Sequence, residues 1–348
     1  MLIDLARRFL YSSGLLPLYH RLRNAGSLTV VTFHRTLSED DPRWPTCDPD
    51  YTMPRDVFAH SLAFFRRHYN VVSLAQVHEA QQGGAPLPPR ALLVTFDDGW
   101  RDNADHALPE LRHARLPAAM FVAANAVGQG QPFWQEQLIA AWRRGALTLA
   151  QVEEALDAKG GKRADGAQGS PETMDRMRHT IERIEALPPD VRMDLIAAFA
   201  PDLDDGLQHM VEPADLDRLQ AGGVSLGLHG KRHIRIPEAD DVDAELLGAR
   251  EALVDAMAND GFNAAGGLRS MSFPHGAYDA RVAQRARDSG YDLLFTSVPV
   301  LNPVHPRPGW LLGRTGFEAS GVLDARRRFR PDWLAWYLFR RPARRLDA

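Results

Sequence analysis

Five short runs of this chain are apolar at nearly every position: "SLTVVTF" (Ser27–Phe33), "ALLVTF" (Ala91–Phe96), "PAAMFVAA" (Pro117–Ala124), "GVSLGL" (Gly223–Leu228) and "YDLLFTS" (Tyr291–Ser297). A strand that shows one face to water alternates polar and apolar residues. Runs without that alternation have to be covered on both faces, the condition of a parallel sheet under helices. The intervening stretches have helical period. In "PRDVFAHSLAFFRRHYN", Val57, Phe58, Leu62 and Phe65 share one face and Pro54 stands at a first helical position. A short strand at "NVVS", a helix from Leu74 and a helix over "DNADHALPELRHARL" continue the alternation.

The rhythm stops after Gln131. From "PFWQEQLIAAWRRG" to "EPADLDRLQAG" only helical patterns occur, interrupted by the linker "KGGKRADGAQGS", so this region reads as a helical insertion. Strands and helices resume at "GVSLGLH", pass through "DAELLGAREALVDAMAND", "GGLRSMSFP", "DARVAQRARDSG" and "YDLLFTS", and close with "GWLLGRTGF". About seven strand candidates make one closed or nearly closed (β/α) barrel more economical than two α/β domains. The expected organisation is an N-terminal helical segment (1–26), a barrel built from 27–130 and 222–318, a helical insertion (131–221) and a basic, aromatic C-terminal helix (319–348).

Composition narrows the function. A formal net charge of -4 argues against a general nucleic-acid binder. Cys47 is the only cysteine, so the chain forms no internal disulfide or thiolate metal cluster. This fits a reducing cytosol, and the expected location is cytoplasmic. The N-terminus has a basic pair before an apolar stretch, as in an export signal, but Ser12, Ser13, Gly14 and Pro17 interrupt it and no cleavage site follows. It reads as mature protein in an amphipathic helix.

In such barrels chemistry sits at the C-terminal ends of strands. Four strand ends here finish in polar groups: His34, Asp97-Asp98, His229 with His233, and the "FPHG" turn from Phe273 to Gly276. Neither "DDG", which recurs at Asp204-Asp205-Gly206, nor a pair of histidines four apart is specific alone. Position adds the weight. Two imidazoles and one carboxylate make a three-ligand set that leaves a coordination position open for water. One aspartate can then hold the cation while its neighbour takes a proton, and the cation offsets their repulsion.

"TFDDG" after one strand, "HGKRH" after a later one and then "SFPHGAYD" resemble the polysaccharide deacetylases of the NodB-homology type, carbohydrate esterase family 4. The resemblance runs from about Leu28 to Phe317, the insertion excluded. It implies a distorted (β/α) barrel and metal-dependent hydrolysis of an N-acetyl group on an amino sugar in a poly- or oligosaccharide. Carried over, Asp97 is the general base, and Asp98, His229 and His233 hold a divalent metal, zinc by family habit. A backbone N–H near Pro274-His275 steadies the oxyanion.

Two departures follow. Ser272 stands where the family places an arginine two residues before the proline, and His275 where an aromatic residue is common. A C-terminal Leu-x-His strand, which supplies the acid, is missing. "VVTFH" at the N-terminus resembles it, as in circularly permuted branches, making His34 the expected acid and His275 its rival. Arg314 in "GWLLGRTGF" is the candidate for the missing arginine, with Arg35 and Arg269 at neighbouring strand ends. Trp100, Trp134 and Trp310 read first as packing residues and second as sugar platforms. The C-terminal "ARRRFRPDWLAWYLFRRPARR" fits either a docked helix or one lying peripherally on the inner membrane surface. Other expectations are a deformylase or amidase for a lipid-linked amino sugar, and a saccharide-binding barrel without catalysis.

Overall fold

The computed structural model describes residues 2–160, 172–257 and 268–347, leaving most of the Gly-rich linker and residues 258–267 outside the described residues. Two compact units emerge: Met1–Ser38, Asp50–Gln129 and Met210–Ala348 form one, Glu39–Pro49 with Gly130–His209 the other.

The first unit is the barrel. Helices α1 (Leu2–Ser12) and α2 (Leu15–Arg23) lead into β1 (Ser27–Phe33), followed by β2 (Arg35–Leu37), β3 (Thr52–Pro54), α3 (Arg55–His68), β4 (Asn70–Val71), α4 (Leu74–Gln81), β5 (Ala91–Phe96), α5 (Leu108–Ala114) and β6 (Ala118–Val122). The second unit contributes α6 (Trp134–Arg143), α7 (Leu149–Ala158), α8 (Met174–Glu185), α9 (Pro189–Ala197) and α10 (Ala200–Leu203). The barrel resumes with α11 (Pro213–Ala221), β7 (Val224–Leu228), α12 (Val242–Met257), β8 (Ser270–Ser272), α13 (Ala280–Asp288), β9 (Leu293–Thr296), β10 (Asn302–Pro303), β11 (Leu311–Gly313), β12 (Thr315–Gly316) and α14 (Pro331–Phe339).

The main sheet runs β10-β1-β5-β6-β7-β8-β9-β11, with β4 also on β5 and β12 also on β1. All pairings are parallel except β1 with β10. The last strand closes the ring by changing partner: Leu311–Gly313 pairs with β9, and Thr315–Gly316 pairs with β1. Arg314 is the residue at the changeover. Counting β11 and β12 as one interrupted strand, the closed path has seven parallel positions, in line with the count of strand candidates in the sequence.

Burial on both parities explains those runs. Val31, Phe33, Leu92, Val94, Met120 and Val122 pack under the helices, while Leu28, Val30, Leu93, Phe121 and Phe295 fill the barrel interior. Leu74 and Val77 of α4 join the interior cluster and plug its floor. Gly227 is required where β7 crosses Phe121, since a Cβ there would lie 2.6 Å from that ring.

The second unit has its own core, including Leu138, Leu149, Val152, Met177, Ile181 and Leu195. Asp48 of the short segment accepts both Nε and Nη2 of Arg178 on α8. The units divide at His209/Met210, whereas the helical pattern in the sequence runs on to residue 221; α11 belongs with the barrel, packed on β7.

The C-terminal expectation needs correction. Leu334, Ala335, Leu338 and Phe339 of α14 are fully buried, and the helix packs on α1 and α2, so its apolar face is spent on the protein and not on lipid. Among the described residues no helix is long and apolar enough to cross a membrane.

His20 anchors this corner. It is 1% exposed, its ring stacks on Phe339 at 3.9 Å, its Nδ1 accepts from Asn24 Nδ2 at 2.9 Å, and its Nε2 donates to the carbonyl of His68. This pattern needs a neutral ring, and burial lowers its pKa from 6.5 to about 3. Between those values the unfolded chain binds more protons, so this contribution is complete above 6.5 and is lost as pH falls toward 3. Equilibrium urea unfolding is expected to lose about 1–2 kcal/mol from this residue by about pH 5.5, and His20→Gln to flatten that part of the pH slope.

Candidate metal centre and active site

Parity aims the site. On β5 the inward residues are Ala91 and Leu93, and the next residues of that parity are Thr95 and Asp97. On β1 Leu28 and Val30 lead in the same way to Thr32 and His34, and on β7 Gly227 leads to His229. Strand pairing therefore delivers Asp97, His34 and His229 to one rim without any help from loops. Asp98 has the wrong parity. It reaches the rim because its backbone turns into the left-handed region at φ 78, followed by Gly99 at φ 97.

Asp97 is 2% exposed and takes a two-pronged bond from Arg314, Nη1 to Oδ1 at 2.7 Å and Nη2 to Oδ2 at 2.6 Å. Ser272 Oγ stands 3.4 Å from Oδ2. Burial pushes the Asp97 pKa up, but Arg314 and then His229 outweigh it and the net shift is downward. The guanidinium is itself buried, against Phe121 and the carbonyl of Thr296. Of the three arginines considered, Arg314 alone meets Asp97: Arg269 pairs with Asp292 and Arg35 with Asp102.

Asp98 Oδ1 lies 3.3 Å from His229 Nε2 and 3.2 Å from His233 Nε2, and it is buried without a hydrogen bond. His229 Nδ1 faces the carbonyl of Ser272 at 2.9 Å. A carbonyl only accepts, so Nδ1 carries a proton, and in the neutral ring the Nε2 lone pair faces the carboxylate. That contact is repulsive unless a second proton or a metal cation lies between. Ligand atoms about 3.3 Å apart suit a tetrahedral ion with bonds of about 2.0–2.1 Å. The three ligand atoms all fall within 4.8 Å of one another, and the donor set fits a divalent metal. Burial raises the Asp98 pKa, yet His233 and His229 drive it well below the usual carboxylate range.

Buried braces hold these ligands. Trp100, 2% exposed, donates its indole N–H to Asp98 Oδ2 at 2.9 Å. Arg35 lies 4.3 Å over that ring and is fixed by Asp102, which also accepts the amide of Thr36. Glu245 on α12 accepts the amides of Lys231 and Arg232 and so clamps the histidine loop. Gly230, at φ 69, admits Pro274, whose Cγ would be 3.1 Å from a Cβ there. Asp102 and Glu245 escaped the sequence reading, since each looks like an ordinary helix residue. Trp100 is packing, as first read, and too buried to meet a sugar. Trp310 lies under Arg287, and Trp134 packs on the core of the helical unit.

His34 ends β1 with its ring edge-on to Tyr51 at 5.2 Å; burial lowers its pKa, while Asp98 and Asp97 pull it back up. His275, at φ 57, presents its ring 4.7 Å from that of His233. Pro274 is buried and has no N–H, so of that pair only the His275 amide can donate to an oxyanion.

The sequence model of the polysaccharide deacetylase family matches residues 84–294, and the chain belongs to that family. A stretch of 50 residues is 44% identical to the poly-beta-1,6-N-acetyl-D-glucosamine N-deacetylase of Escherichia coli K12, covering 14% of this chain and only 7% of that protein. The fold is similar to that of Streptococcus pyogenes deacetylase PplD in complex with acetate, with a TM-score of 0.54 and 13% identity over 90% of this chain and 98% of the other. It is also similar to IcaB from Ammonifex degensii, with a TM-score of 0.50 and 18% identity over 90% and 97% of the two chains.

Removing one partner of the Asp97–Arg314 pair strands a buried charge. Arg314→Met is expected to cost about 3–5 kcal/mol in denaturant unfolding, and adding Asp97→Asn to recover much of it, so the double-mutant cycle is strongly non-additive.

Proposed function

We propose that this protein is a metal-dependent N-deacetylase that hydrolyses acetamido groups on amino-sugar units of a poly- or oligosaccharide. One observation carries the reading: a buried, unbonded Asp98 oxygen meets two imidazole nitrogens beside a second carboxylate that is held ionised and fixed in direction. Asp98, His229 and His233 would hold the ion, and their nitrogen-rich set favours zinc over magnesium. When bound, such an ion supplies Lewis acidity toward a water and the amide carbonyl.

Asp97 accepts the proton of the attacking water. Arg314 prevents it from swinging to the ligand position and keeps it unprotonated at neutral pH. The amide N–H of His275 faces the carbonyl oxygen as charge develops on it. The water oxygen bonds to the carbonyl carbon as Asp97 takes its proton. His34, in its protonated form at the end of the strand beside β5, then gives a proton to the amine nitrogen as the C–N bond breaks, leaving acetate and a free amino group. The serine in the third motif does not weaken this scheme, because Arg314 supplies the orienting cation from the closing strand.

The test is acetate release from N-acetylated glycans alongside metal analysis. Asp97→Asn is expected to keep the metal and lose activity by at least about a hundredfold, and His229→Ala to lose both. Formate in place of acetate would make the chain a deformylase, and saccharide binding without any acid release would make it a binding barrel.

A further inference from the structure

Among the described residues ten large apolar side chains are exposed, and seven of them belong to α1 and α2. On α2, Leu15, Leu18, Tyr19 and Leu22 stand at i, i+3, i+4 and i+7 and form one stripe facing water, while Leu16 and His20 cover the opposite, buried side. On α1, Ile3, Leu5 and Phe9 are 63–69% exposed, whereas Leu10 and Tyr11 pack inward. A helix of a globular domain turns its apolar stripe to the core. Here the protein-facing side is already satisfied and a second apolar stripe remains outside.

The charges around it have one sign. Arg8 and Arg21 are exposed on the same two helices, and Arg340 and Arg341 lie over Trp336 and Tyr337 of the adjoining α14. The one acidic residue before β1 is Asp4, and it is engaged by Trp333 and Arg330. A cationic border around an apolar centre, on a chain of net charge -4, complements an anionic lipid surface. In a two-fold pairing of this face with a second copy the same arginines would meet each other.

We propose that the α1–α2 face seats on an anionic bilayer, with the leucines and Phe9 in the headgroup–acyl boundary and the arginines on lipid phosphates. In this arrangement α14 is the platform beneath the hairpin.

The full chain is tested by flotation with vesicles of phosphatidylglycerol and phosphatidylcholine against vesicles of phosphatidylcholine alone. Wild type is expected to float with the anionic vesicles and to be released by salt. Leu18→Glu with Leu22→Glu is expected to lower partitioning at least about tenfold, with an unchanged circular dichroism spectrum. Arg8→Gln with Arg21→Gln is expected to weaken binding and reduce its salt dependence. Failure of wild type to float with anionic vesicles, or equal flotation of the double glutamate variant, overturns the proposal. So does a wild-type dimer in sedimentation that this variant dissociates, which assigns the face to a second copy.

Discussion

The rim depends on one buried ion pair. Asp97 and Arg314 are each 2% exposed, so either charge alone in that place is prohibitively unstable. They coexist because the guanidinium fork matches the carboxylate with two parallel bonds. The pair also spans the seam of the barrel. In the sheet β1 lies between β5 and β12, so Asp97 at the end of one neighbour and Arg314 at the start of the other close over His34. The residue at which the ring closes is thus also the one that pairs with Asp97. The partner change at Arg314 frees the residue from a regular ladder and lets it serve the interior.

Strand geometry alone delivers three of the polar groups, and the others need strain. Six non-glycine residues of the described chain have positive φ, and three of them are Asp98, His233 and His275. A left-handed backbone at such residues costs of order 1 kcal/mol each and persists only where the surroundings insist. The clamp of Glu245 on the loop amides and the hold of Trp100 on the carboxylate are those surroundings. These contacts hold Asp98 and the histidine loop in place through the chain's own groups.

How much of this was legible in the sequence follows from the range of each interaction. Apolar runs and parity are local, so the strands, their order of burial and the inward aim of Asp97 and His229 could be read directly. The arginine was reachable too, because a buried carboxylate needs a cation and few arginines stand at strand ends. Asp102 and Glu245 were not, since a carboxylate that meets groups 66 and 67 positions away, as Asp102 does, or 13 and 14 away, as Glu245 does, leaves no periodic mark. The same holds for Glu39–Pro49, which joins the helical unit through Asp48 and Arg178, 130 positions apart. At the two termini, helical period revealed amphipathic segments but not the side each would bury. Arginines and aromatics in α14 look alike whether the helix docks on protein or on lipid, and only its packing under α1 and α2 decides between them.

In the proposed metal centre the two oxygens of Asp98 would have separate tasks, and this bears on the ion. Oδ2 accepts from the indole of Trp100, which is itself pinned by Arg35 and Asp102, while Oδ1 faces the two imidazoles, so the geometry favours coordination through one oxygen. Magnesium and calcium favour oxygen-rich shells, and calcium often takes both oxygens of a carboxylate. One oxygen with two imidazole nitrogens, the first of them polarised by the carbonyl of Ser272, leaves those ions poorly served and suits a borderline cation that accepts low coordination. Under the function proposed above, the brace would act on metal choice through geometry, by occupying one carboxylate oxygen instead of adding a ligand.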